Sequence, residues 1–146
     1  MRWAFPCRAM TDVAAKLLSA LDARPEPVCI GNDVLYLPDF YPMLNALFVS
    51  KAFTERERAY AEQFTTPALR YASTFSAKES VYKAIKQWFP TTPLGWKKIE
   101  VLRDRPAGPP YCHLHHPVGQ SLRLSLSISH DGEYVWTVAL AWLVTG

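Results

Sequence analysis

Residues 122–129, LRLSLSIS, alternate without a break. Leu122, Leu124, Leu126 and Ile128 fall on one side of an extended chain, and Arg123, Ser125, Ser127 and Ser129 on the other. That is the signature of a half-buried strand. Asp131-Gly132 follows, a strong hairpin-turn signal, and residues 133–143 return as a more thoroughly apolar strand. An antiparallel hairpin with one apolar face is therefore the fixed point of the fold. Residues 99–102 and 111–115 are weaker strand candidates. Residues 28–37, VCIGNDVLYL, are rich in strand formers but interrupted by Gly-Asn-Asp.

Helix signals occupy the middle of the chain. Thr54 can cap a helix, and Glu57 three places on can close a capping box. Thr66-Pro67 starts another helix with proline at its first position. That helix can run to about Trp88, before Pro90 and Pro93 stop it. Residues 11–21 can form a short amphipathic helix, after which Pro25 and Pro27 read as a linker. The expected organisation is an appendage over residues 1–27 and one α+β domain over residues 28–146.

The composition narrows the function. A chain of 146 residues with 49% apolar and 20% charged residues is ordinary globular protein. The net charge of +3 comes with no basic stripe, which argues against nucleic acid and suits an anionic small ligand or an acidic protein partner. The cysteines at 7, 29 and 112 are odd in number, widely spaced and form no CxxC, so reduced thiols in a cytoplasmic protein are expected. The first residues lack the apolar core and cleavage site of a signal peptide, and no segment has the roughly 18 apolar residues of a membrane span.

The segment FSAKESVYKAIKQW, residues 75–88, carries the chemistry. On a helical wheel Ser76, Glu79, Ser80 and Lys83 share one side, and Ala77, Val81, Ala84, Ile85 and Trp88 the other. Lys78 falls on the apolar side, where an ammonium must escape to water or meet an anion. Glu79 and Lys83 are spaced to reach the same point. Asp33 stands in an otherwise apolar strand beside Gly31, and His130 ends a strand just before a turn. Two carboxylates, two lysines and a histidine suit a Mg2+–diphosphate site, because Mg2+ takes one or two carboxylates plus phosphate and water oxygens. Cys112-His113-Leu114-His115-His116 reads as structural or surface residues rather than a metal cluster, since neighbours on a strand point to opposite faces. Trp88, Trp96, Trp136 and Trp142 read as core or interface.

Three stretches in order resemble the 4′-phosphopantetheinyl transferases of the holo-acyl-carrier-protein synthase type. They are Gly31-Asn32-Asp33, the run from Phe75 through Lys78-Glu79 to Lys83, and Ser127-Ile128-Ser129-His130. FTERERAY also resembles the segment that usually precedes the Lys-Glu helix. The versions that serve large type I fatty-acid synthases are closest in flavour.

The resemblance implies a single-repeat subunit in which an antiparallel sheet wraps around a long helix. It implies Mg2+-dependent transfer of 4′-phosphopantetheine from coenzyme A to a serine of an apo acyl carrier protein or carrier domain, with release of 3′,5′-ADP. Asp33 and Glu79 would hold Mg2+, and Lys83 would offset phosphate charge. Lys78, His130 and Ser129 would contact the coenzyme, and Glu79 or a water it orients would take the serine proton. A homotrimer is implied, with Asp33 and His130 of one subunit facing Glu79 and Lys83 of the next. Thr74 stands where an arginine is common, so one phosphate contact would be missing or supplied by Arg70. The segment QWFPTTPLGW replaces a glycine-rich loop, and residues 33–50 hold no Lys or Arg. The carrier would then meet Lys51, Arg56 and Arg58, or would not be a typical acidic one. The rival reading is a degenerate relative that binds coenzyme A or a carrier without turnover.

Overall fold

The alternating segment forms β4 (Leu122–Asp131), which pairs antiparallel with β5 (Tyr134–Leu143). Asp131 is still in the ladder, opposite Tyr134, so the turn is Gly132-Glu133 and begins one residue later than the sequence suggests. Gly132 has φ 54° and no other residue type takes positive φ among the described residues, which is the II′ kind of hairpin turn. The structure is a computed structural model that describes residues 15, 16, 19 and 27–144. The helix expected over residues 11–21, and nearly all of the expected appendage, lie outside the described residues.

β1 (Val28–Tyr36) pairs antiparallel with the other side of β5, giving the sheet order β1-β5-β4. It runs unbroken through Gly31-Asn32-Asp33, so the expected interruption is absent. A short helix α1 (Leu37–Phe40) and a 3-10 turn lead to α2 (Ala46–Ala52) and α3 (Glu55–Ala61). Thr54 caps α3, and the reciprocal Thr54–Glu57 capping box is formed. α4 (Pro67–Trp88) has 22 residues, about 33 Å of helix, with the predicted proline at its start. β2 (Ile99–Leu102) and β3 (Tyr111–Leu114) form a separate antiparallel pair.

The helix α4 lies against the sheet and is central rather than amphipathic. One apolar cluster packs around Phe40, Phe53, Tyr71 and Val135, and a second around Val81, Ile85, Ile99 and Ala139. Ser76 and Ser80, which the wheel places on a polar side, are completely buried. That side faces β1 and β5 instead of water, because both flanks of α4 are covered. The outer face of the sheet is open. Val34 and Trp136, neighbours across β1 and β5, are 61% and 58% exposed, and Ile30 and Tyr134 extend the patch.

Candidate active site

The strand β1 crosses α4 at Gly31. A Cβ there would lie 1.9 Å from the Ser80 carbonyl oxygen and 2.7 Å from the Ala84 nitrogen, so only glycine allows this approach. Two residues on, the period of the strand returns the same face to the helix and delivers Asp33 above Ser76 and Lys83. Asp33 Oδ2 accepts a hydrogen bond from Ser76 Oγ at 2.8 Å. Asp33 Oδ1 accepts from Lys83 Nζ at 2.9 Å, and Lys83 also donates to the Asn32 carbonyl at 3.0 Å.

Glu79 is one helical turn from Lys83 and lines the same cleft as Asp33. The cleft has a volume of about 460 Å³, with Phe40, Met43 and Phe75 among its apolar walls. Partial burial holds the Glu79 carboxyl above the usual carboxylate range, and the charge of Asp33 pushes it further, against the pull of Lys83. Two carboxylates that repel each other in a sheltered cleft fit a divalent cation, which removes the repulsion. Among the described residues no group of three or more His, Cys, Asp or Glu is placed to hold an ion. A divalent ion here would have two protein carboxylates and take water and phosphate oxygens at its other positions, a donor set that suits Mg2+.

Asp33, Glu79 and Lys83 thus come together within one chain. This corrects the arrangement in which Asp33 of one subunit faces Glu79 and Lys83 of the next. The physical reason is the β1–α4 crossing at Gly31, which brings Asp33 within 2.9 Å of the Lys83 ammonium of the same chain.

Lys78 requires a second correction. Its ammonium does not reach the cleft but is completely buried in an ion pair with Glu57 Oε2 at 2.6 Å. It also donates to the carbonyls of Ala52 at 2.6 Å and Trp96 at 3.0 Å. Glu57 in turn accepts from the backbone of Thr54 and Val101. Burial pushes the Glu57 carboxyl up and the Lys78 ammonium down, while each partner draws the other back. Glu57 is legible in sequence as a capping residue, but nothing there marks it as the counter-ion of Lys78.

The remaining candidates lie apart from the cleft within this chain. Arg70 is nine residues before Glu79 on α4, about 13.5 Å along the axis, with its guanidinium over the Phe64 ring at 4.2 Å. Ser129 is opposite Trp136 on the outer face of the sheet. His130 is exposed at the end of β4, two strand spacings or about 10 Å from β1. His115 Nε2 is 3.0 Å from Glu100 Oε1, which Arg56 also engages, while Thr54 Oγ1 donates to Glu100 Oε2. The buried hydroxyls of Ser76, Ser80 and Thr137 are the feature that sequence reading missed. The one available signal was a threonine amid the apolar residues of YVWTVALAWL.

Comparison with known proteins agrees with this architecture. Residues 29–139 match the family described as the 4′-phosphopantetheinyl transferase superfamily. The chain is 33% identical over 118 residues to the holo-[acyl-carrier-protein] synthase of Chlamydia felis, covering 77% of this chain and 94% of that protein. It is 33% identical over 135 residues to a fatty acid synthase alpha subunit of Monascus ruber, where 88% of this chain spans 7% of the relative's length. The solved Chronobacterium ammoniagenes ACPS-CoA complex superposes with a TM-score of 0.72 at 27% identity, covering 82% of this chain and all of that one. With the sheet-on-helix fold and the three motifs in place, this chain belongs to the 4′-phosphopantetheinyl transferase superfamily, in its holo-acyl-carrier-protein synthase type.

Proposed function

We propose that this chain transfers the 4′-phosphopantetheine arm of coenzyme A to a serine of an apo acyl carrier protein or carrier domain, releases 3′,5′-ADP, and requires Mg2+. The observation that carries the reading is the meeting of Asp33, Glu79 and Lys83 at one cleft in a chain of this family. The serine oxygen bonds to the phosphorus that bears the pantetheine arm. The bond from that phosphorus to the bridging oxygen breaks, and 3′,5′-ADP leaves with the electron pair. The serine proton goes to a base, for which Glu79, or a water that it orients, is the candidate.

Asp33 and Glu79 are the residues that would hold Mg2+, which supplies charge neutralisation and alignment at the diphosphate. The Lys83 side chain is 47% exposed, so its ammonium can turn from Asp33 to a phosphate oxygen. Phe40, Met43 and Phe75 limit water at the wall of the cleft.

The open apolar face around Val34 and Trp136 supports a homotrimer as part of the proposal, since monomers rarely leave such a patch in water. His130 and Ser129, on the free edge strand β4, are then available to the coenzyme bound by a neighbouring subunit, and Arg70 to a phosphate at the subunit boundary. The free thiols of Cys29 and Cys112 support a cytoplasmic setting. No helix among the described residues is long and apolar enough to cross a membrane.

Intact-protein mass spectrometry tests the central claim. With Mg2+, coenzyme A and several apo carriers, including one from a type I synthase, one carrier gains one phosphopantetheine, and EDTA abolishes the gain. No gain on carriers that another transferase modifies readily overturns the proposal.

A further inference from the structure

The hydroxyls buried beneath Asp33 form a continuous chain of contacts. Ser76 Oγ lies 2.8 Å from Asp33 Oδ2 and 3.0 Å from Thr137 Oγ1. Thr137 Oγ1 is 2.8 Å from the Ser76 carbonyl and 2.5 Å from Ser80 Oγ, and Ser80 Oγ is 3.0 Å from the Thr137 carbonyl. An ionised carboxylate only accepts, so the single proton of Ser76 must point at Asp33. Thr137 Oγ1 then lies against Ser76 Oγ with its proton free to reach the Ser76 hydroxyl or carbonyl, and Ser80 Oγ packs against Thr137 Oγ1 and its carbonyl. All three residues are completely buried, so no water can take a place in the sequence.

A hydrogen bond to a charged acceptor is about twice as strong as a neutral one, and successive hydroxyls polarise one another in the same sense. Packing alone does not ask for these groups. Val135 and Ala139 flank Thr137 on the same face of β5, and valine has the shape of threonine.

We propose that Ser76 and Thr137 are positioning residues, whose buried hydroxyl contacts pin Oδ2 of Asp33 and so fix the orientation in which the carboxylate meets Lys83 and would meet a cation. The inference rests on the reading of Asp33 as a metal-holding carboxylate. It assigns the threonine of β5, which touches neither cleft nor coenzyme, a role in metal affinity. Partners that orient a ligating carboxylate typically change metal affinity by about 10–100-fold when removed.

The test uses Mn2+ as a probe, titrated into the full chain by calorimetry with and without coenzyme A. Ser76→Ala and Thr137→Val weaken Mn2+ binding by about 10-fold or more. Thr137→Ser, which keeps the hydroxyl and loses a methyl, binds within about twofold of the parent. The transfer rate of Ser76→Ala recovers as the metal concentration is raised, which a general loss of structure would not allow. Thermal melts establish that each variant is folded, and Ser76→Ala alone decides the matter if Thr137→Val does not fold. Parent binding with unchanged affinity in folded Ser76→Ala overturns the hydroxyl chain and leaves the metal site standing. No Mn2+ binding by the parent in either condition overturns the metal reading and the inference with it.

Discussion

Replacing Lys78 by methionine isolates the buried ion pair. Methionine fills the aliphatic stem but removes the group that meets Glu57 and the carbonyls of Ala52 and Trp96. The Glu57 carboxylate is left 2% exposed with two backbone donors and no counter-ion. Breaking one side of a buried pair costs about 3–5 kcal/mol, against a total stability of about 5–15 kcal/mol for an ordinary domain. At about 2–4 °C per kcal/mol for a chain of this size, the melting temperature falls by about 6–20 °C. Adding Glu57→Gln to Lys78→Met removes the stranded charge while keeping an acceptor for Thr54, and recovers about half of the loss.

The sign of the pH dependence follows from the direction of the Glu57 shift. A carboxyl whose folded pKa lies above its unfolded value binds protons more readily in the folded state. Stability therefore falls as pH rises from the unfolded value through the raised one. Without Lys78 the carboxyl rises further, so the deficit of Lys78→Met is largest above that window and smallest below about pH 4.5. Urea melts at acid and neutral pH read both quantities, and the KM for coenzyme A of the folded variant stays near the parent value. A variant as stable as the parent at neutral pH, or one whose deficit is the same at both pH values, refutes a sealed charge pair. A large rise in the KM for coenzyme A in a stable variant returns Lys78 to the coenzyme.

Three further outcomes follow from the same geometry. Glu79→Gln abolishes transfer in the mass assay yet raises the melting temperature at neutral pH, because the raised Glu79 carboxyl costs stability above its unfolded pKa; the gain disappears in melts run below about pH 4.5. Gly31→Ala forces β1 away from α4 and costs about 3 kcal/mol or more, as overpacking against rigid backbone does, with loss of transfer in whatever fraction stays folded by circular dichroism. Trp136→Lys places a charge on the open sheet face and converts the proposed homotrimer to monomer by light scattering, without lowering the melting temperature of the monomer unit; a parent that is itself monomeric refutes the trimer.

What could be read in the sequence was local. The alternation of residues 122–129 specifies a strand because its period is two, and the capping box and Pro67 act within one turn of their own helices. Asp33, Glu79 and Lys83 were identifiable because Asp33 stands in an apolar strand beside Gly31, Glu79 and Lys83 are spaced to reach one point, and the stretches that carry them resemble a family pattern in order. The neighbours that decide their surroundings were not identifiable. A helical wheel separates faces but does not say what covers each, so Ser76 and Ser80 read as exposed while β5 in fact seals them in. Lys78 read as a coenzyme contact because its counter-ion comes from α3, a different helix. His130 and Asp33 share a motif order but not a location in one chain, because β5 stands between their strands.

Lys78 and Glu79 are adjacent on α4, about 100° apart, and meet opposite electrostatic conditions. Lys78 is enclosed with every ammonium proton given a partner, so its charge holds α3 and the Trp96 turn against α4. Glu79 emerges at the cleft beside a second carboxylate, and partial burial first and repulsion from Asp33 second push its carboxyl up. Such repulsion persists only if the elements bearing the charges cannot move apart. β1 is prevented from moving by its contact with α4 at Gly31 and by nine ladder pairs with β5. α4 is prevented from moving by the Lys78–Glu57 pair on one flank and the Ser76–Thr137 contact on the other. The buried polar groups thus help to hold the two carboxylates of the proposed metal site at one cleft.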